Sequence, residues 1–232
     1  MSAPDTFLAG QSFAARAFYR FGRTITTVLT RTYTRMSIYG RENIPSTGAF
    51  VLAPVHRSYV DTPIAACVTA RRLRFLGKDS MWKYGWFGWV LSALGAIPVT
   101  RGTADREALR RSVSVLEAGD PLVLFPEGER KSGPVVQPMF DGAVYVALKA
   151  GVPIIPVGIG GSEMVMPKGA KFVFPRKVRV VVGAPLYPES SSGRVSRGEL
   201  SRQSERLHAE LQRLFDLAMI DVGWTYASLE DQ

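Results

Sequence analysis

One cysteine, Cys67, stands in 232 residues. That single thiol excludes an intramolecular disulfide framework and any zinc or iron–sulfur centre built from several cysteines, and it points to a reducing compartment. Histidine is as scarce, with only His56 and His208. No Gly-x-Ser-x-Gly elbow occurs, and "GIGGSEM" around Ser162 has the wrong spacing, so a serine acyl-enzyme is not expected. The phosphate loop GxxxxGK followed by Ser or Thr is absent, and Gly158, Gly160 and Gly161 do not make the dinucleotide pattern, which disfavours ATP and nicotinamide cofactors. Long apolar runs are missing too. The longest uncharged stretch, Tyr84 to Thr100, has 17 residues but is broken by Gly85, Gly88, Gly95 and Pro98, a poor membrane-spanning helix. Met1 to Gly10 lacks the charged start, apolar run and small-residue cleavage site of a signal peptide, so a non-spanning, unprocessed chain is expected.

What is present is enough apolar material for a core: 46% of residues are hydrophobic and 21% charged, the balance of one globular domain with appendages. Twenty-nine Lys and Arg against twenty Asp and Glu give a net charge of +9, which calls for a polyanionic partner, either nucleic acid or an anionic membrane. The excess concentrates at the start, where residues 1–41 hold six arginines against Asp5 alone. At about 100° per helical residue, Phe18, Phe21, Ile25, Val28, Leu29 and Met36 fall on one stripe, with Arg16, Arg20, Arg23, Arg31 and Arg35 opposite. Such a helix suits either a membrane surface, with the stripe among acyl chains and arginines on lipid phosphates, or ordinary packing on a core.

Short apolar runs at Ala49 to Val55, "LRFLGK", "AIPVTR", "PLVLFPEG", "VPIIPVGIGG" and "VRVVVGAPL" predict strands. Helix-like stretches at Pro63 to Arg72, Asp105 to Ala118 and Gly142 to Ala150 alternate with them. The fold class is therefore a layered α/β domain. Pro188 to Gly198 reads as a linker and Glu199 to Met219 as a final helix, with Leu200, Leu207, Leu211, Leu214 and Phe215 at helical spacing. Between two of the strands, Trp82, Tyr84, Trp86, Phe87 and Trp89 crowd into eight residues beside Lys83. These rings suit a membrane interface, a packed core helix or base stacking; the apolar segment Val90 to Val99 that follows favours lipid over nucleic acid.

His56 directly follows a buried strand and precedes Asp61 by five positions in "HRSYVD". On a continuous helix those side chains would diverge by about 140°, so a strand-to-helix turn must lie between them. Asp61-Thr62-Pro63 looks like a helix start that would return the carboxylate to the imidazole. The result is either a general-base pair, with Asp61 fixing the tautomer, or a core histidine beside a helix cap; spacing leaves both open. "FPEGER" puts Glu127, Gly128, Glu129 and Arg130 at the end of another strand, where α/β sheets bind ligands, and Arg101 in "GAIPVTRG" ends a third. Each could be an ordinary charged turn.

Taken in order, "HRSYVD", "GAIPVTR", "FPEGER" and "VPIIPV" resemble the four blocks of the glycerolipid acyltransferases, specifically the 1-acylglycerol-3-phosphate acyltransferase family, over roughly residues 36–186. The resemblance implies a mixed, largely parallel sheet flanked by helices, with residues 1–36 as an amphipathic membrane-associating helix, 37–186 as the catalytic domain, and 187–232 as linker and packed C-terminal helix. It implies that His56, oriented by Asp61, deprotonates the acceptor hydroxyl for direct attack on an acyl thioester. Arg101, Glu127, Gly128 and Arg130 would bind the acceptor phosphate, and Pro156 would shape the site or acyl path. Arg16, Phe18, Arg20, Phe21, Arg23, Ile25, Trp82, Trp86 and Trp89 would meet an anionic membrane at its cytoplasmic face. No metal or bound cofactor is implied; acyl-CoA or acyl-carrier protein is the co-substrate, a lysophospholipid the acceptor, and nucleic acid no partner. Three positions depart from the pattern: Val55 replaces a common Asn, Glu129 a Thr or Ser, and Asp141 a lysine. The last two make the implied phosphate site more negative.

Overall fold

The computed structural model describes residues 12–99, 106–167, 169–188 and 195–223. Helix α1, Phe13–Thr34, leads into strand β1, Ser37–Tyr39, and then β2, Val51–Pro54. There follow α2 (Asp61–Cys67), β3 (Arg74–Lys78), α3 (Gly85–Ala93), β4 (Ala96–Val99), α4 (Arg106–Glu117) and β5 (Leu122–Val123). The chain continues through α5 (Gly142–Ala150), β6 (Ile154–Gly160), α6 (Ser162–Val165), β7 (Arg179–Val182) and α7 (Arg197–Val222).

The strands make one sheet in the order β1-β7-β6-β2-β5-β3-β4. β2 runs parallel to β5 and β6, β3 parallel to β4 and β5, and β1 parallel to β7; β6 and β7 are antiparallel. The mixed, mostly parallel sheet follows from the sequence: helices intervene between β2, β3, β4, β5 and β6, and strands covered on both faces read as the continuous apolar runs seen here. All four residues of β2 and all seven of β6 are buried. Helices flank the sheet in two groups, α4, α5 and α7 touching one another in sequence, and α1 lying on α2 and α3. The second helix is shorter than its apolar pattern suggests, ending at Cys67 rather than Arg72.

α7 lies closely on β6 because of two glycines. A Cβ on Gly158 would come within 2.3 Å of the Leu214 backbone, and one on Gly160 within 2.4 Å of the Ala218 carbonyl. These glycines serve helix-on-sheet packing, which explains why they match no nucleotide pattern. Ser196 starts α7 by accepting the Glu199 N–H, and Gly223 ends it with φ 70°.

α1 begins at Ser12, whose side chain accepts the Ala15 N–H, and ends at Arg35, a non-glycine in the left-handed region with φ 48°. Its inner face carries Tyr19, whose hydroxyl donates to the Arg71 carbonyl and accepts the Leu73 N–H. Arg23 is also turned inward: its Nε donates to the Thr69 carbonyl at 2.7 Å, correcting its expected place among the outward arginines. Met36 lies past the helix and is buried, so it leaves the stripe as well. Phe21, Ile25, Val28 and Leu29 remain exposed, and Arg16 and Arg20 are exposed on the opposite side of the helix. No helix among the described residues is long and apolar enough to cross a membrane.

Candidate active site

Parallel strands deliver their following loops to one edge of the sheet, and the turn after β2 meets the turn after β5 there. His56 Nδ1 lies 3.1 Å from Asp61 Oδ2. Asp61 is the first residue of α2 and fully buried, so the strand-to-helix turn does return the carboxylate to the ring. The same Oδ2 accepts the Arg57 and Ser58 N–H groups, each at 2.6 Å. A carboxylate that only accepts fixes the proton of the neutral imidazole on Nδ1 and leaves Nε2 with its lone pair. Phe125, just past β5, stacks on the imidazole with ring centroids 4.0 Å apart and holds its plane.

His56 opens on a cleft of 710 Å³, otherwise walled mainly by apolar groups such as Leu76, Val99, Leu109, Leu124 and Phe140. A largely apolar cleft with a histidine in its lining can take a hydrocarbon chain whose reacting carbon reaches the imidazole.

Glu127 takes a different place from the one expected. It is wholly buried, and its Oε2 accepts the His56 N–H at 2.9 Å. Its Oε1 accepts Arg57 Nη1 at 2.7 Å and the Gln137 N–H at 3.1 Å. With both oxygens engaged and no exposure, it meets no incoming phosphate, and a carboxylate would repel one. Glu127 is a clamp on the histidine turn. Its partner Arg57, overlooked in the sequence, is buried, donates to the Val135 carbonyl and lies 4.9 Å from the Phe215 ring centroid. The loop supplying Val135 is itself fastened to α7, where Gln212 accepts the Val136 N–H and a His208 ring nitrogen meets the Val136 carbonyl. The one sequence sign of Arg57 was an arginine two residues past a fully apolar run, with a glutamate standing just past another such run.

Arg130 lies flat on Tyr59, its guanidinium carbon 3.3 Å from the ring centroid, and the next residue, Lys131, donates its backbone N–H to the His56 carbonyl at 2.9 Å. This cation therefore belongs to the rim of the histidine turn. Gly128 has φ 70°, and a Cβ there would come within 2.7 Å of the Phe140 ring, so glycine lets this turn pass under Phe140. Glu129 is mostly exposed and paired with Lys131, while Asp141 accepts the Ser204 hydroxyl of α7. Arg101 falls outside the described residues. Pro156 sits opposite Ala53 inside the sheet, with Gly183 against its ring; it lines no part of the cleft, correcting its expected place on the acyl path.

The tryptophans divide. Trp82 is packed over Gly77 and Gly88 and donates its indole N–H to Ser92 Oγ, a structural role that removes it from the expected membrane-contact group. Trp86 and Trp89 are exposed, and Trp89 meets Phe18 of α1 with centroids 5.2 Å apart.

Several known proteins are similar to this chain in sequence. A 1-acyl-sn-glycerol-3-phosphate acyltransferase of Bacillus subtilis is 25% identical over 77% of this chain and 87% of its own length. The chloroplastic 1-acyl-sn-glycerol-3-phosphate acyltransferase BAT2 of Brassica napus is 27% identical over 73% of this chain, which spans 53% of that longer protein. Among solved structures, the 1-acyl-sn-glycerophosphate acyltransferase PlsC of Thermotoga maritima superposes with a TM-score of 0.69 at 28% identity, covering 86% of this chain and 78% of that one. The sequence model of the Acyltransferase family matches residues 35–160, from the end of α1 through β6 and with it the whole histidine turn; this chain belongs to the Acyltransferase family.

Proposed function

We propose that this chain transfers a fatty acyl group from an acyl thioester, carried by CoA or acyl-carrier protein, to the free hydroxyl of 1-acylglycerol-3-phosphate, giving phosphatidic acid. The reading rests chiefly on the His56–Asp61 pair, whose histidine lines a largely apolar 710 Å³ cleft. His56 Nε2 removes the hydroxyl proton as the acceptor oxygen attacks the thioester carbonyl, and Asp61 stabilises the imidazolium. The tetrahedral intermediate collapses, the carbon–sulfur bond breaks, and the imidazolium returns the proton to the departing thiolate. Atoms and charge balance without a covalent enzyme intermediate, a metal or a redox partner.

Glu127 and Arg57 hold the turn that carries the base. Arg130 binds the acceptor phosphate through charge-assisted hydrogen bonds, and Arg101 is the second cation assigned to it. The exposed stripe of α1 and the rings of Trp86 and Trp89 enter the headgroup region of an anionic bilayer, with Arg16 and Arg20 on lipid phosphates. The protein works as a peripheral enzyme on the cytoplasmic face of the membrane. Glu129 and Asp141 near the rim favour a second acceptor, a lysophospholipid with a larger or cationic headgroup.

Purified protein incubated with labelled palmitoyl-CoA or palmitoyl-carrier protein and 1-acylglycerol-3-phosphate in anionic mixed micelles tests this directly. Labelled phosphatidic acid is the expected product. Free labelled fatty acid formed at the same rate without acceptor would make the protein a thioester hydrolase.

A further inference from the structure

We propose that a second apolar groove, behind the first turn of α2, holds the acyl chain of the lysophospholipid acceptor; this rests on the acyltransferase reading above. The groove encloses 590 Å³ against 710 Å³ for the histidine cleft, so the two are of similar capacity. Its walls are Leu29 and Tyr33 of α1, Val60 and Pro63 at the start of α2, Val165 of α6, and Val173.

The first turn of α2 is a wall common to both spaces. Thr62 lines the histidine cleft, whereas Val60 and Pro63 line the groove. At about 100° per residue, positions 60 and 63 lie about 60° apart, and position 62 is turned about 160° from 60 and about 100° from 63. Asp61, whose carboxylate orients His56, sits within that partition. A transferase of this kind must seat two chains at once, one ending in the thioester carbonyl and one already esterified to the glycerol. The donor chain belongs to the cleft, because its carbonyl has to meet His56. The acceptor chain then needs a separate apolar seat close enough for its hydroxyl to reach the same nitrogen.

Two features match the groove to the acceptor. At its Val60 end, the adjoining residue Tyr59 carries the Arg130 guanidinium on its ring, which provides a cation for the acceptor's phosphate where the chain ends. At its outer side, Tyr33 donates its hydroxyl to the Val173 carbonyl at 2.8 Å, tying the two walls together beside exposed Phe172 and Phe174 and the exposed stripe of α1. A groove opening onto apolar surface admits a single-chain amphiphile sideways from a bilayer without passing its chain through water. The donor, with its large polar carrier, has no need of such an entrance.

Val173→Trp and Leu29→Trp fill the groove from opposite walls. Both side chains are partly exposed, and tryptophan preserves interfacial affinity, so neither fold nor membrane binding should suffer. Steady-state kinetics in mixed micelles would compare acceptors bearing palmitoyl and hexanoyl chains, beside a series of donor chain lengths, with thermal unfolding and vesicle sedimentation as controls. The expected result is a rise of about tenfold in KM for the palmitoyl acceptor, as when about two methylenes lose burial. The KM for the hexanoyl acceptor and the donor preference stay as in wild type. Unchanged kinetics with both acceptors, or an altered donor preference, would overturn the proposal. A second measurement uses the unmodified protein: a photoreactive group on the acceptor chain should label residues 29–33 or 165–173. Labelling there by a photoreactive donor chain instead, or cross-linking of the groove to residues 1–11 of this chain, would overturn it. If wild type made no acylated lipid with any acceptor, the underlying acyltransferase reading would fail, a result separate from failure of the groove assignment.

Discussion

Glu127 Oε2 accepts the backbone N–H of His56 at 2.9 Å, although 71 residues separate them. The turn that carries His56 is thus held by two buried carboxylates: Glu127 takes the N–H of residue 56, and Asp61 takes those of residues 57 and 58. Arg57 neutralises the first and its own N–H feeds the second, so position and charge of the turn are set together. Donors satisfied inside the protein cannot be replaced by water without opening the sheet edge.

Glu127→Ala should therefore act on stability. Removing one partner of a buried ion pair leaves Arg57 charged and uncompensated, at a cost of about 3–5 kcal/mol. Urea unfolding followed by circular dichroism should show a lower midpoint with little change in slope. Arg57→Met combined with Glu127→Leu should recover only the part due to the uncompensated charge, since the N–H groups of His56 and Gln137 still lose their acceptor.

Arg130→Ala should raise the KM for the phosphate-bearing acceptor by about ten- to a hundredfold, the worth of a charge-assisted hydrogen bond, with a smaller effect on kcat. Arg130→Lys should recover part of it, because an ammonium keeps the charge and loses the planar fork. Steady-state kinetics with varied acceptor gives both values.

The double change Phe21→Glu and Ile25→Glu should lower partition into vesicles containing phosphatidylglycerol by about tenfold or more, with thermal stability nearly unchanged because both side chains face outward. Binding of the unmodified protein should weaken as salt rises, since Arg16 and Arg20 are screened. Sedimentation with vesicles at several salt concentrations reads both effects.

Two buried acids set an alkaline limit to stability. Burial raises the Cys67 thiol above its ordinary 9.0, and burial raises the Tyr19 hydroxyl above 10.0, the Leu73 N–H and nearby arginines opposing it only in part. The folded state therefore keeps its protons where the unfolded chain begins to lose them. Both contributions are complete below the ordinary values and are lost as pH rises from those values through the raised ones. Stability measured by denaturant titration should be flat with respect to these groups at neutral pH and fall beyond about pH 9 to 10. Tyr19→Phe should reduce the upper part of that decline.

Local patterns carried much of this architecture. Strands β2 to β7 coincide with apolar runs bounded by turn residues, and the turn between His56 and Asp61 followed from spacing, since five residues of helix would part the side chains. What the sequence hid were partners brought together by the sheet. Glu127 looked like a ligand at an exposed strand end, yet it lies 0% exposed under Arg57, because β2 and β5 are neighbours and close over it. Trp82 was indistinguishable from Trp86 in composition; only Gly77 and Gly88, which leave room for its indole, mark it as a packing residue. Arg23 belonged to the polar side of α1, but its side chain turns in to the Thr69 carbonyl while Arg16 and Arg20 on that side stay exposed. Pro156 lay in a recognisable block, and its ring turns toward Gly183 rather than the cleft.

The most direct measurement is thiol release from palmitoyl-CoA, with and without 1-acylglycerol-3-phosphate, by wild type, Asp61→Asn and His56→Ala. Release by wild type should depend on the acceptor and match phosphatidic acid formed. His56→Ala should lower the rate by about 10²- to 10⁴-fold, and Asp61→Asn should lower kcat with little change in acceptor KM. Acceptor-dependent release that persisted undiminished in His56→Ala would contradict His56 as the base that starts the transfer.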